Sequence, residues 1–189
     1  MRRLLSLLAF LASPAFAQQT LPSLPAGTTP YAGTDLFYCT IGGVSSKCAF
    51  SALVGAANTH TTAAPTGTAA VTPGVMMALG SAITPTKTGN VLIVINGYMN
   101  NSVVADQCTV GIRYGTGTAP INGAAATGTA LGLAVNLGQP TAGYNFPFSV
   151  TGIATGLTVA TAYWVDAVLF HTTGGTCTIA GVTTTMVEQ

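Results

Sequence analysis

The stretch ATAYWVDAVLFH, residues 160–171, decides the fold class. Successive side chains of an extended strand point to opposite faces, so Tyr163, Val165, Ala167 and Leu169 share one face, and Trp164, Asp166, Val168 and Phe170 the other. Both faces are largely apolar. Such a strand must be covered on both sides, either by a second sheet or by another copy of the protein. It reads as the central strand of a β-sandwich. Asp166 is the anomaly, because a carboxylate inside an apolar run needs a hydrogen-bonding partner or water. A satisfied side chain near a sheet edge or a subunit seam is expected, since no Lys or second acid accompanies it in sequence.

Outward from this strand the pattern is one of short strands separated by Gly, Pro and Asn signals. Residues 75–79 read as a first strand, 84–89 (TPTKTG) as a turn, and 90–99 as a strong strand with Val91, Ile93 and Ile95 on one face and Leu92, Val94 and Tyr98 on the other. In residues 106–114, Cys108, Val110, Ile112 and Tyr114 alternate inward against Thr109, Gly111 and Arg113. A Gly-, Ala- and Thr-rich loop over 115–129 precedes a strand at 130–137, then a loop at 138–145, a strand through Phe146, Phe148 and Val150, and a closing strand at 176–187. No amphipathic helix of useful length interrupts them. The expected fold is all-β, an antiparallel β-sandwich of jelly-roll type over 74–189.

Before it, residues 1–17 have the form of a secretory leader: Arg2 and Arg3, an apolar run over 4–11, and Ala15, Phe16, Ala17 as a cleavage site before Gln18. The run is too short for a permanent membrane span, which takes about 20 apolar residues. Residues 18–55 read as an extended arm with Pro22, Pro25 and Pro30, followed by a small β-hairpin and a short helical turn at Ser51 to Val54. Residues 56–73, without charge or periodicity, read as a linker in which His60 is a solvated side chain.

Four cysteines behind a leader read as two disulfides in an extracellular protein. A hairpin turn at Gly43 and Val44 sets Cys39 opposite Cys48 in a non-hydrogen-bonded pair, close enough to bridge. Cys108 is then left to Cys177. A metal site is disfavoured because no CxxC or His spacing accompanies the cysteines.

Charged residues make up only 5% of the chain. Without the leader, Lys47, Lys87 and Arg113 stand against Asp35, Asp106, Asp166 and Glu188. No basic patch exists to hold nucleic acid. So little charge with so much Thr, Val and Gly suits a β protein that hides surface in an assembly. The chemistry is equally sparse. His60 and His171 fall in no metal-ligand spacing, GTGTAP at Gly115 follows a strand but precedes no helix, and no set of nucleophile, base and orienting group can be assembled. The one pair of acids worth measuring is Asp106 with Asp166, since glycoside hydrolysis needs two carboxylates at a set separation. No catalytic residue, cofactor or metal is expected, and the protein is read as non-enzymatic.

Two stretches resemble bacteriophage virion proteins. Residues 21–54, LPSLPAGTTPYAGTDLFYCTIGGVSSKCAFSALV, look like the lead-in module of phage tail fibres: a proline-containing arm, a GTDL opening, a Gly-Gly hairpin and a Ser-Ala-Leu turn. Residues 84–188 look like the jelly roll such fibres often carry, through TPTKTGNVLIVINGYMNN, VGIRYGTGTAPINGAA and FSVTGIATGLTVATAYWVDA, and are similar in strand order to the tumour-necrosis-factor and complement-type trimeric heads. The resemblance implies a homotrimer, an N-terminal end joined to other virion or tail proteins, and distal loops that meet a host surface glycan or protein. The leader and the four cysteines depart from the usual pattern. If a receptor exists, loops 115–129 and 138–145, taken as lying at one end of the sandwich, are its expected contacts. The alternative is a secreted carbohydrate-binding sandwich, which needs an exposed aromatic platform at Tyr114, Tyr144 or Trp164.

Overall fold

In a computed structural model of the chain, residues 36–41, 44–49, 55–62, 65, 67, 68 and 70–189 are described, the first two segments by their backbone alone. The leader, the proline arm and the short turn expected at Ser51 to Val54 lie outside the described residues. The chain divides into two compact units, with the boundary between Leu53 and Val54.

In the first unit, β1 (Leu36–Ile41) and β2 (Val44–Ala49) form an antiparallel hairpin with Ile41 opposite Val44. This corrects the expected register. Cys39 faces Ser46 and Cys48 faces Phe37, so the two cysteines are diagonal neighbours rather than direct partners. The physical reason is that Val44 is β-branched and suits a strand better than a turn position. The side chains of Cys39 and Cys48 lie outside the described residues.

The second unit is a sandwich of two antiparallel sheets. One has the order β4 (Val75–Met76), β10 (Tyr163–His171), β7 (Gln107–Thr116), β8 (Thr129–Gly138), with β5 (Ser81–Ile83) also paired to β10. The other has the order β3 (Ala57–Thr62), β11 (Cys177–Glu188), β6 (Val91–Asn101), β9 (Phe146–Ala154). Strands cross repeatedly between the two sheets, as a jelly roll requires. Val91, Ile93, Ile95, Ile179 and Met186 from one sheet meet Val110, Ile112, Val165, Ala167 and Leu169 from the other in a single core. Alternation in the sequence groups Val91, Ile93 and Ile95, Val110 and Ile112, and Val165, Ala167 and Leu169 on common faces.

Three features differ from the expectation. Residues 57–62 are not linker: β3 pairs with β11 from Thr62 opposite Val182 to Ala57 opposite Val187. Its ANTHTT has no apolar alternation because it is an edge strand, held by backbone bonds more than by burial. The strand expected over 75–79 stops at Met76 as β4, and Ala78 and Gly80 at positive φ separate it from a further short strand, β5. The third difference concerns the central strand. The second face of β10 is covered by the chain itself: Met76, Trp164 and Val168 form a small cluster packed by Ala124 and Ala126 of the β7–β8 loop. That loop is stitched to β4 by Met76 N–H to the Ala124 carbonyl (2.8 Å) and Gly123 N–H to the Met76 carbonyl (2.9 Å). A subunit seam is therefore not needed to bury this strand.

Candidate functional site

Asp166 faces its cross-strand partner Arg113 in register, yet its carboxylate turns to the β4–β5 break. It accepts from the amides of Ala78 (2.9 Å), Leu79 (2.9 Å) and Ala167 (2.8 Å). The break lifts residues 78 and 79 out of the ladder, and Asp166 supplies the acceptor that the ladder no longer does. Burial pushes its carboxyl upward, while those amides pull the other way. Arg113 donates instead to the Gly128 carbonyl at 3.2 Å.

Asp106 ties together the loops at one end of the sandwich. Its carboxylate accepts from Asn101 Nδ2 (2.6 Å), the amide and hydroxyl of Thr173 (2.8 and 2.7 Å) and the amide of Gly174 (3.1 Å), and His171 Nδ1 stands 3.8 Å away. Burial opposes ionisation, but the hydrogen bonds from Thr173, Gln107 and Gly174 prevail and hold the carboxyl far below the usual carboxylate range. His171 is itself buried. At the opposite end Glu188 has the same duty. Its carboxylate accepts from the amides of Ala56 (2.8 Å), Thr86 (2.8 Å), Lys87 (2.6 Å), Thr88 (2.7 Å) and Gly89 (3.2 Å) and from the Thr86 hydroxyl (3.0 Å). Burial is again outweighed by the amides, and the carboxyl lies far below its ordinary value.

Asp106 and Asp166 do not meet. His171, beside Asp106, and Asp166 are five positions apart on β10, a distance of about 16 Å at the usual rise per strand residue. Each acid is buried and surrounded by donors, so neither presents a carboxylate to a substrate. Among the described residues no group of three or more His, Cys, Asp or Glu side chains could hold a metal. His60 sits on β3, with its Nε2 near Gly80. Cys108 and Cys177 are bonded, linking β7 of one sheet to the start of β11 in the other.

The aromatic candidates separate sharply. Trp164 is buried, and its indole N–H donates to the Thr116 carbonyl at 3.1 Å. A Cβ on Gly128, at φ +74°, would collide with that ring. Tyr114 is half-buried beside Tyr163. Tyr144 alone of the three is open, 59% exposed, with its ring 4.8 Å from that of Phe146. The loops expected to share one end do not: 115–129 precedes β8 and 138–145 follows it, so a strand of 10 residues separates them.

The feature that sequence reading did not isolate is the outer face of the β9–β6–β11–β3 sheet. Register places Ile153, Leu92, Val187 and Ala57 in one row, and Thr151, Val94, Thr185 and Thr59 in the next. Ser149, Asn96, Thr183 and Thr61 form a third row, and Pro147, Tyr98 and Ala180 a fourth. No charged residue stands in these rows. Tyr98 and Ile153 are about half exposed, at 52% and 54%. Alternation along β6 puts Tyr98 with Leu92 and Val94 on the face opposite Val91, Ile93 and Ile95, but only the pairing of four strands assembles the face.

No family model and no curated protein matches the chain. Among solved structures, it is similar to that of the infectious bursal disease virus Gt strain, with a TM-score of 0.45 and 14% identity over 88% of this chain and 42% of that one. The VP2 subviral particle of the same virus gives a TM-score of 0.42 and 14% identity over the same shares. The Gx strain gives 0.41 and 14% over 79% of this chain and 37% of that one. The chain thus spans well under half the length of the structures it resembles.

Proposed function

We propose that the protein is a non-enzymatic structural protein of a virion, a trimeric fibre or spike component that joins its particle through the N-terminal hairpin module and presents the sandwich to a host surface. The observation that carries self-association is the uncharged outer face of the β9–β6–β11–β3 sheet. A sheet face turned to water normally alternates polar and charged residues outward. Here Thr, Ser and Asn provide all the polarity, and Ile153, Leu92, Val94 and Val187 form an apolar corner beside it. Burying that corner against other copies removes apolar area from water at no cost in desolvated charge.

Mass measurement in solution tests the association: three chains per particle are expected at micromolar concentration, and Tyr98→Lys with Ile153→Lys should give monomers of unchanged fold. A wild-type protein that runs as a monomer refutes it.

A further inference from the structure

We propose that the Asp106 end of the sandwich is a platform for a neutral saccharide, with the Tyr144 ring as its stacking surface. It rests on the reading above only in taking the sandwich as the part presented to a surface. Tyr144 is 59% exposed although the loop bearing it is held from within. Gly143 N–H donates to the Asn101 carbonyl (2.7 Å) and Gln139 N–H to the Asp106 carbonyl (2.9 Å). With its amide oriented to satisfy its partners, the buried Gln139 side chain donates to the carbonyls of Thr141 (3.3 Å) and Tyr144 (3.1 Å). These bonds fix the backbone that carries Tyr144, so a ligand meeting the exposed part of its ring binds without the entropic cost of ordering a loop.

The chemistry around the ring selects the ligand. Asn100 Nδ2 donates to Asn145 Oδ1 at 2.7 Å, which leaves Asn100 Oδ1 as an acceptor and Asn145 Nδ2 as a donor for the hydroxyls of a ligand. Ala105 N–H to the Gln139 carbonyl (2.8 Å) binds the neighbouring loop, which exposes Val103 and Val104. The titratable groups organising this end, Asp106 and His171, are both buried. A surface with an aromatic ring, planar amides and no exposed charge suits the C–H face and hydroxyls of a pyranose, and offers no counter-charge to an anionic or cationic ligand.

The test uses the full chain against an array of neutral gluco-, galacto- and manno-configured oligosaccharides, with sialylated and sulfated ones alongside. Binding to at least one neutral sugar is expected, kept by Tyr144→Phe and weakened about tenfold or more by Tyr144→Ala at unchanged melting temperature. No neutral hit, binding to anionic sugars alone, or equal binding by Tyr144→Ala overturns the proposal. So does attachment to a surface that protease abolishes and periodate does not, which identifies a protein partner. The mass measurement above is independent: a monomer that binds through Tyr144 sinks the assembly, and a trimer that binds no sugar sinks the platform.

Discussion

Replacing Glu188 is the sharpest test of how this fold is held together. Each of its oxygens accepts from three donors: Oε1 from the amides of Lys87, Thr88 and Gly89, and Oε2 from the amides of Ala56 and Thr86 and the Thr86 hydroxyl. A hydrogen bond to a charged group contributes about 1.5–3 kcal/mol, but six on one carboxylate are not additive, and the loop can partly return to water if the acceptor is lost. Glu188→Ala should therefore cost about 3–5 kcal/mol, the range for removing one partner of a buried charged interaction. Glu188→Gln should cost nearly as much. Whichever way the amide turns, its NH2 group confronts three donors, so the isosteric change removes half the acceptors and adds repulsion.

Urea titration at pH 7 measures both. The pH dependence supplies a second readout with a fixed sign. The folded pKa lies below the ordinary 4.5, so the stabilisation is complete above that value and is lost as pH falls through it toward the folded pKa. In Glu188→Ala the acid limb of the stability curve should be correspondingly flatter. A Glu188→Gln protein within about 0.5 kcal/mol of wild type would refute the reasoning, because a neutral acceptor would then suffice.

Other perturbations follow from the same contacts. Asp106→Asn should lower stability at pH 7 and flatten the acid limb below about pH 4 in the same sense, since its carboxyl too is held below the ordinary 3.8; urea titrations at pH 3 and pH 7 measure the difference. Trp164→Ala should cost about 3–5 kcal/mol and speed amide exchange across residues 117–128, because the loop packs on that ring; exchange confined to the strands would contradict the packing. Removing the Cys108–Cys177 bond with alanine at both positions frees a link across 69 residues and should cost about 4 kcal/mol by chain entropy, read from the shift in the urea midpoint.

The sequence by itself determined the all-β sandwich and which residues of β6, β7 and β10 share a face, because period-two alternation is a local property of an extended chain; the Cys108–Cys177 pair was reached by elimination, from a hairpin register that the structure corrects. It also marked Asp166 as a structural acid. Only the tertiary structure decided what covers the second face of β10, since the choice between another copy and the chain's own loop depends on where residues 117–128 fold back. The role of Glu188 was equally hidden: its donors lie 99–132 residues away in sequence, and no local pattern announces a loop whose amides converge on a distant carboxylate. Likewise β3, held as an edge strand by backbone bonds to β11, carries no apolar rhythm, and the uncharged face exists only once β9, β6, β11 and β3 lie side by side. Burial periodicity is written along a chain, whereas hydrogen-bond closure and surface chemistry arise between segments that only folding brings together.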